Sequence, residues 1–354
     1  MLGDHPVCFG HGVRAAIRKR GVDHLIADIV PELQRYDLVF GNLECVISEV
    51  GGDDGSLEKS EMRADRSSVQ LLRKCGFNVI SVSNNHMLQH GPESFDETVG
   101  LLSSAGIRPV GLRDGVRSNE VVCRIGDESI ILISHSLRAE NYARTNASYA
   151  SGSSLEILEQ VRSTKAQFRT SLLVVSLHWG EEYMHAPSAE QIEFAHQLVD
   201  SGAGLVLGHH PHVLQGIEMY GQGLIAFSLG NFLFDSWQRP TRESMILSCS
   251  IADGRVVEYS VIPIEIGSDF VIRKLKGADK ARLLARIEEF SADVIERKGL
   301  AAETPERYRS MAEKAYLRYR LECYWYFITH LWRYDASVLF ASLRRAFFRR
   351  IGLA

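Results

Sequence analysis

The stretch Leu205-Val-Leu-Gly-His-His-Pro-His212 joins a short apolar run directly to three histidines. The run has the length and the side chains of a strand that is buried on both faces of a sheet. His210 and His212 are two positions apart in an extended loop, so both imidazoles can face one cavity. A protein core has no use for three imidazoles at one place, and the segment therefore predicts a metal site at the end of a buried strand.

Three other apolar runs, at residues 37–41, 77–82 and 171–177, also end in polar residues. The polar residues at these ends are Asn42, Glu44, Asn84, Asn85, His86 and His178. Each of them alone is commonly a turn or capping residue. Ligands of open α/β sheets bind outside the carboxyl ends of the strands. The recurrence of polar residues at successive strand ends therefore favours one shared site. Oxygen and imidazole donors of this kind suit Mn, Fe, Zn or Mg.

Between residues 38 and 234 the sequence alternates between apolar runs and segments whose apolar residues have helical spacing. In one such segment Phe95, Val99 and Leu102 form a stripe, Pro92 fits the first helical position, and Gly106 fits a stop. This alternation predicts a layered α/β domain. Residues 221–266 are rich in strand patterns and resemble a meander that finishes a second sheet. Two helices are predicted at 276–298 and 305–330, and we place a boundary near residue 270, which divides the chain into residues 1–270 and 271–354.

The bulk composition excludes several functional classes. The 354 residues are 45% hydrophobic, which is ample for a large core, and the net charge of −4 indicates no nucleic-acid partner. The six cysteines are single and form no CxxC pair, which favours reduced thiols over a zinc knuckle or a disulfide framework. The sequence shows neither a signal peptide nor an apolar run long enough for a spanning helix. These features lead us to expect a cytoplasmic protein.

Six short motifs occur in a specific order along the chain. They are Gly3-Asp4, Gly41-Asn-Leu-Glu44, Asn84-Asn-His86, His178-Trp-Gly180, Gly208-His-His-Pro-His212 and Ser228-Leu-Gly-Asn-Phe232. The ordered set resembles the capsule-synthesis (CapA-type) poly-γ-glutamate biosynthesis protein family, which is itself similar to calcineurin-like metallophosphoesterases. The resemblance covers about residues 3 to 265. It implies a four-layer αββα sandwich of metallophosphoesterase type, here with a C-terminal helical extension, that holds two divalent metal ions.

The resemblance also implies a role for individual residues. Asp4 and His212 would serve one metal, and Asn85, His178 and His210 the other. Glu44 would replace the bridging carboxylate of the broader superfamily, and His86 would be a nearby general acid. The remaining polar residues of the motifs, together with one arginine, are candidates for contact with substrate or for support of the ligands. This second set is Asn42, Asn84, Arg63, His209 and Asn231. Arg63 also fits a plain surface arginine.

The sequence departs from the family pattern at three places. The superfamily begins with Asp-x-His, whereas here His5 directly follows Asp4, so one metal is expected to have fewer ligands. Family members often carry Asp between the Asn-His pair and the next glycine, whereas this chain has Gln89. Only two residues precede Gly3, although a buried strand normally has about five. We therefore expect the reading frame to begin further upstream.

These features predict a metal-dependent hydrolase that acts on a phosphoester, with an anionic small-molecule or polymer substrate from capsule or cell-envelope synthesis. One alternative is hydrolysis or transfer of an amide on a γ-glutamyl polymer at the same metals. The other is a non-catalytic, metal-bearing subunit that assembles with membrane-bound polymer-synthesis proteins.

The C-terminal segment forms a separate pattern. Leu339, Leu343, Phe347 and Ile351 fall near one stripe of a helix that also carries four arginines at 344, 345, 349 and 350. A basic amphipathic helix of this kind can lie in a membrane interface. It can equally pack against the domain, a second subunit or a protein partner. The sequence therefore leaves a peripheral position at the membrane as one of these interpretations.

Overall fold

The computed structural model of the chain describes residues 7–52, 57–113, 119–138 and 148–334, together with residues 336, 339 and 340. The strands are β1 (Phe40–Asn42), β2 (Val46–Ile47), β3 (Arg63–Ala64), β4 (Val79–Ser81), β5 (Arg108–Val110), β6 (Glu120–Ile125), β7 (Glu128–Ser136), β8 (Leu172–His178), β9 (Leu205–His209), β10 (Ile217–Tyr220), β11 (Gly223–Ala226), β12 (Glu243–Ala252), β13 (Arg255–Ile266) and β14 (Ile272–Lys274).

The α-helices of the described ranges lie mostly between these strands and after the last of them. They are α1 (Val13–Arg20), α2 (Val22–Ile26), α3 (Val30–Leu33), α4 (Leu57–Ser60), α5 (Val69–Lys74), α6 (Pro92–Ser104), α7 (Ser154–Gln167), α8 (Ala189–Asp200), α9 (Arg239–Arg242), α10 (Gly277–Ile295) and α11 (Pro305–Thr329). Short 3₁₀ turns occupy residues 66–68, 299–302 and 331–333.

A six-stranded sheet forms the centre of the protein, in the order β10-β11-β9-β8-β7-β6. The four inner strands are parallel, and the two outer strands pair antiparallel. Every residue of β8 is buried, as expected for a strand that is covered on both faces. Ile131, Leu173 and Val175 pack on one face against α7 and α8. Both helices begin with a capping box, Ser153 with Glu156 and Ser188 with Gln191.

Two three-stranded sheets cover the other face of the six-stranded sheet. One is parallel, in the order β1-β4-β5, and the other is antiparallel, in the order β12-β13-β14. Their side chains share an apolar cluster with the alternate residues of β7, β8 and β9. On the far side, helices α1, α2, α5 and α6 pack in a further apolar cluster. The order is helix, sheet, sheet, helix, so the predicted αββα fold with C-terminal helices is confirmed.

Most predicted elements appear near their predicted positions. α6 begins at Pro92, and Gly106 follows its end with φ of +78°. α10 and α11 match the two predicted C-terminal helices within a few residues. One prediction was wrong, because the run from Leu224 does not belong to the meander. β11 instead pairs in parallel with β9 in the six-stranded sheet, since the tight β10–β11 hairpin returns the chain to that sheet.

The C-terminal helices pack on the sheets at two different places. Leu283 and Ile287 of α10 join the apolar cluster between the sheets, next to Ile217 of β10. Tyr308 and Ala312 of α11 pack instead on Met184, in the loop that follows β8. No described helix is both long and apolar enough to cross a lipid bilayer. The division of the chain near residue 270 stays a prediction.

Candidate metal centre

Polar side chains from the ends of four strands meet in one buried place. Glu44 follows β1, Asn85 follows β4, and His178 ends β8. His210 and His212 lie in the loop after β9. All five are at most 7% exposed. The structure thus brings together every predicted ligand except Asp4, which lies outside the described residues. Their role as ligands stays a prediction.

Glu44 lies between two imidazoles. Its Oε1 atom is 3.6 Å from Nε2 of His178 and 3.6 Å from Nε2 of His212. This oxygen has no hydrogen-bond partner among the residues that the structure describes. Burial raises the pKa of Glu44 to about 7, because a carboxylate loses its hydration there. A buried carboxylate oxygen between two imidazoles would suit a divalent cation.

His178 faces Asn85 across the centre. Nε2 of His178 is 2.9 Å from Oδ1 of Asn85, while its Nδ1 is buried and has no partner in the described ranges. Burial, and then the neighbouring His210, hold the pKa of His178 well below its ordinary value. The imidazole is therefore neutral at pH 7, which is the form that binds metals.

Within the described part of the chain, His210 has no hydrogen bond to either ring nitrogen, although it is buried. Its backbone has φ of 100°, a region that residues other than glycine rarely adopt. Burial holds the pKa of this imidazole well below its ordinary value. A buried polar group without a partner is costly, and so is a strained backbone. A cation bound to this ring would offset the free energy lost to both features.

Asn231 holds the ring of His212. Nδ1 of His212 donates to Oδ1 of Asn231 over 3.0 Å, so the lone pair of Nε2 faces Glu44. The amide of Asn231 in turn donates to the carbonyls of His212 and Thr241. A partner on one ring nitrogen fixes the tautomer and orientation of a ligating histidine. Asn231 therefore holds a candidate ligand in place, and the role predicted for this set of residues stays a prediction.

Two groups of possible ligands overlap at His210. Glu44, His178 and His210 offer ligand atoms within 4.8 Å of one another, and so do Glu182, His210 and His212. Both groups contain only carboxylate and imidazole, which fit a borderline or hard divalent cation. The sequence analysis missed Glu182, although it stands in the His178-Trp-Gly-Glu-Glu182 segment that leaves β8. Burial raises the pKa of its carboxyl, and the nearby His212 acts in the opposite direction.

Gly208 allows close packing at the start of the loop of residues 208–212, here called the histidine loop. A Cβ atom on Gly208 would lie 1.9 Å from the carbonyl oxygen of Phe227 and 2.5 Å from Nε1 of Trp179. That indole donates to the same carbonyl over 3.0 Å. The end of β9 is therefore packed against β11 and the loop after β8 so closely that only glycine fits. This packing sets where His209, His210 and the rest of the loop emerge.

Asn84 and Gln89 hold the segment that carries His86. Nδ2 of Asn84 donates to the carbonyl of Leu43 over 2.8 Å and approaches Oδ1 of Asn42 at 3.4 Å. Oδ1 of Asn84 accepts from the amide of His86. Oε1 of Gln89 lies 3.1 Å from Nδ1 of His86, so the glutamine contacts the ring at the position where the family often has Asp.

Two other predicted residues have different surroundings. Arg63 is buried, so the surface interpretation was wrong. Its guanidinium donates to the carbonyls of residues 48, 50, 52 and 59. These bonds satisfy an irregular loop and take up four of the five donors of an arginine. The Nε2 atom of His209 is buried and has no partner among the described side chains and backbone groups. Its ring lies 6.1 Å from that of Phe40. Burial lowers the pKa of His209 to about 4.

Aromatic side chains of α11 border the centre. Tyr319 stacks on Tyr183 with 3.8 Å between ring centroids, and Tyr183 lies 6.1 Å from the ring of His212. Trp237 packs against Tyr319 and Tyr326. The loop that carries Glu182 is thus held between the histidine loop and the C-terminal helix. This contact was not predicted from the sequence.

Fold and centre together define an αββα protein with a candidate metal centre at the carboxyl ends of its strands. The family model described as "Bacterial capsule synthesis protein PGA_cap" matches residues 1–236, and the chain belongs to this family.

Among its relatives is the capsule biosynthesis protein CapA of Bacillus anthracis, which is 29% identical over 278 residues. The match covers 75% of this chain and 66% of that protein, so the chain spans slightly less than two thirds of this relative. The PGA biosynthesis protein CapA of Bacillus subtilis is 27% identical, with 75% of this chain and 70% of that protein covered.

Solved structures with a similar arrangement have lower similarity. The sulfate thiohydrolase SoxB of Thermus thermophilus aligns with a TM-score of 0.45 at 14% identity, over 76% of this chain and 46% of that one. The NAD nucleotidase of Haemophilus influenzae aligns with a TM-score of 0.41 at 13% identity, over 86% of this chain and 61% of that one.

Proposed function

We propose that this chain is a metal-dependent hydrolase that acts on a phosphoester during synthesis of a capsule or poly-γ-glutamate polymer. The observation that carries the proposal is the pair of ligand groups that share His210, with Glu44 between His178 and His212. Family membership supports the choice of pathway, since two relatives carry the names of capsule and PGA biosynthesis proteins.

The donor set fits two neighbouring divalent cations. Asn85, His178 and His210 would hold one cation, and His212 with the predicted ligand Asp4 would hold the other. Glu44 would lie between them. Glu182 adds a carboxylate beside His212. The predicted ligands of that cation lack the histidine of the Asp-x-His motif, because His5 directly follows Asp4. When bound, such cations supply Lewis acidity and an activated nucleophile for attack on phosphorus.

His86 would move a proton in this proposal. Gln89 accepts at Nδ1 of His86, because an amide oxygen can only accept, and this fixes the proton of the neutral ring on Nδ1. The opposite nitrogen, Nε2, is then the atom that can carry a second proton and deliver it to the oxygen of a leaving group. General-acid catalysis of this kind contributes typically 10²–10⁴-fold to a rate.

Burial would strengthen the electrostatic interactions between the charged groups of the centre. Glu44 and the three candidate imidazole ligands are almost inaccessible to solvent. In such a site electrostatic interactions are less screened than in water. The imidazoles are neutral at pH 7 because burial lowers their pKa values, so they need not lose a proton to bind a cation.

The experiment combines metal analysis with an enzyme assay. Purified protein is analysed for Mn, Fe, Zn and Mg, then assayed with phosphomonoesters and phosphodiesters under added Mn²⁺. We expect bound metal and ester hydrolysis, and both should fall in His210→Ala and in His212→Ala. His196→Ala is the matched control, because His196 lies on α8 and pairs with Glu218.

The outcomes separate the proposal from its alternatives. Unchanged metal content in both loop variants would remove these histidines from the ligand set. Metal with hydrolysis of a polyglutamate but not of any ester would favour amide chemistry. Full metal content with no turnover on either substrate class would favour a non-catalytic, metal-bearing subunit.

A further inference from the structure

Arg138 lies beside the candidate metal centre, although none of the six sequence motifs contains it. It follows the end of β7, where Ser136 is the register partner of His178 in β8. The amide of Leu137 donates to the carbonyl of His178 over 2.9 Å. Arg138 therefore leaves the six-stranded sheet at the same edge as the candidate ligands, where ligands of α/β sheets bind.

Both the backbone and the guanidinium of Arg138 are held in place. Its amide donates to Oγ of Ser136 over 3.3 Å, and that hydroxyl donates to the carbonyl of Arg138 over 3.1 Å. Its Nη1 atom donates to the carbonyl of Gly180 and to Oε1 of Glu181, both over 2.9 Å. Gly180 and Glu181 lie in the loop between β8 and Glu182, so the guanidinium is anchored next to a candidate ligand.

The charge of Arg138 acts on the groups of the centre. Burial is the main reason why the pKa of His210 lies well below its ordinary value, and the charges of His212 and then Arg138 lower it further. Burial raises the pKa of Glu182, while His212 and Arg138 act in the opposite direction. An anion bound beside His210 and Glu182 would thus lie within reach of this positive charge.

One edge of the guanidinium is available to a ligand. Both hydrogen bonds start from Nη1, and among the described residues Nε and Nη2 of Arg138 have no hydrogen-bond partner. Nε and Nη2 form an edge that binds two oxygens of one anion. Arg18 shows this geometry in the same protein, because its Nε and Nη2 atoms bond to the two carboxylate oxygens of Asp65 over 2.8 and 3.0 Å. The side chain of Arg138 is 34% exposed, so a ligand can reach it.

The position of Arg138 is unfavourable without an anion. A guanidinium next to bound cations is repelled by them, and this repulsion is strong where water is excluded. The oxygens of an anion can bind a cation on one side and an arginine on the other, which removes the repulsion. Arg63, the arginine that the sequence analysis considered for this role, is already bonded to four backbone carbonyls.

We propose that Arg138 binds the phosphoryl group of the substrate through Nε and Nη2, on the side of the candidate centre formed by His210 and Glu182. This role rests on the proposed hydrolase function and names a residue that recognises its substrate. The planar edge orients the phosphoryl group and neutralises part of its charge. The bonds from Nη1 to Gly180 and Glu181 hold that edge in position.

The test measures the binding of inorganic phosphate to the full chain loaded with Mn²⁺, by titration calorimetry. Arg138→Gln removes the charge and the paired donors. We expect the Kd for phosphate to rise by about tenfold or more, because hydrogen bonds to a charged group are lost, and the metal content to stay unchanged. Arg138→Lys should recover only part of the affinity, since an ammonium group keeps the charge but has no planar edge.

Arg162→Gln is the matched control for the change in net charge. Arg162 is exposed on α7 and bonds to Ser201, so its replacement should leave the Kd for phosphate unchanged. A role of Arg138 in holding the loop of Glu182 alone gives another result. Arg138→Gln would then lower the metal content and leave the Kd for phosphate at saturating Mn²⁺ unchanged, which would overturn the proposal.

Two further outcomes would also overturn it. One is a wild-type chain that binds Mn²⁺ but no phosphate. The other is binding of γ-glutamylglutamate but not of phosphate, lost in Arg138→Gln, which would assign the arginine to a carboxylate instead.

Failure of the hydrolase function itself gives a different pattern. Phosphate binding that depends on Arg138, without turnover of any ester, would support the anion site and exclude the hydrolase. Ester turnover with the same KM and the same Kd for phosphate in Arg138→Gln would keep the hydrolase and exclude Arg138 from its substrate site.

Discussion

His86 and the histidines of the 208–212 loop are close in space but have different surroundings. In the part of the chain that the structure describes, His210 has no partner for either ring nitrogen, whereas the ring of His86 contacts Gln89. A ring without partners is suited to bind a cation, and a ring held by an amide is suited to hold a proton.

If the proposed hydrolase function holds, His86→Ala should keep bound metal but lose about 10²–10⁴-fold in kcat. Metal content and turnover are measured on the same preparation. Gln89→Leu should keep metal and lose less activity, because only the orientation of His86 is disturbed. Loss of metal in His86→Ala would instead make this residue a ligand.

Glu182 gives a second prediction at this scale. Its carboxylate lies with His210 and His212 in one group of possible ligands, so Glu182→Gln should weaken one of the two proposed cation sites and lower the metal content towards one ion per chain. Glu181→Gln is the matched control, because Glu181 pairs with Arg138. Equal cation affinity in the two variants, measured by titration calorimetry, would exclude Glu182 as a ligand.

Side-chain positions at the ends of strands were more predictable from the sequence than those in loops. Glu44, Asn85 and His178 follow buried strands, so their meeting could be expected from the alternation of strands and helices. Glu182 is four residues beyond a strand end, and Tyr183 next to it has φ of 65°. The direction of such a loop depends on contacts with α11, which is more than 120 residues away in the chain and which local patterns do not reveal.

At the scale of elements, the contact between β9 and β11 sets the position of the histidine loop. Gly208→Ala would place a Cβ atom 1.9 Å from a backbone carbonyl, and a backbone cannot move aside as a side chain does. We expect the free energy of unfolding to fall by at least about 2 kcal/mol, together with weaker metal binding. Thermal or urea unfolding and metal analysis test this.

Gly100→Ala is the control for that prediction. Gly100 lies within α6, and a Cβ atom there meets nothing within 4 Å. Replacing a helical glycine should raise stability by about 0.5–1 kcal/mol. If both alanine variants behaved alike, the close contact at Gly208 would not be what fixes the loop.

The strands and helices were predictable because their patterns are local. Continuous apolar runs predicted β8 and β9, and a stripe of helical spacing predicted α6. The partner of β11 was not predictable, since a run of apolar residues fits a meander and a parallel sheet equally well. Only the hairpin with β10 decides between them, and that hairpin brings β11 beside β9.

At the scale of the whole molecule, charge and apolar surface are unevenly distributed. Residues 307–354 carry ten Lys or Arg against three Asp or Glu, although the whole chain has a net charge of −4. The outer side of α11 exposes large apolar side chains, among them Leu317, Leu321, Trp325 and Ile328. The predicted amphipathic helix that follows lies almost entirely outside the described residues.

We propose that this C-terminal region docks on an anionic membrane surface, where exposed aromatics and arginines are favoured. The protein should co-sediment with anionic vesicles, and the binding should weaken with salt and vanish when residues 336–354 are deleted. Vesicles of neutral lipid are the control. Equal binding by the deleted protein, or binding by neither form, would mean that the segment packs against the domain or a protein partner.

The indole of Trp179 makes the centre visible to spectroscopy. It directly follows His178, is 1% exposed and lies parallel to the ring of Phe227. Trp325 and Trp332, by contrast, are 69% and 77% exposed. Emission from the buried indole should lie to the blue of theirs and resist quenching by iodide. Binding of a cation at the neighbouring candidate centre would change the emission intensity of Trp179. A titration with metal could therefore be followed by the intrinsic fluorescence of the chain, without an added label.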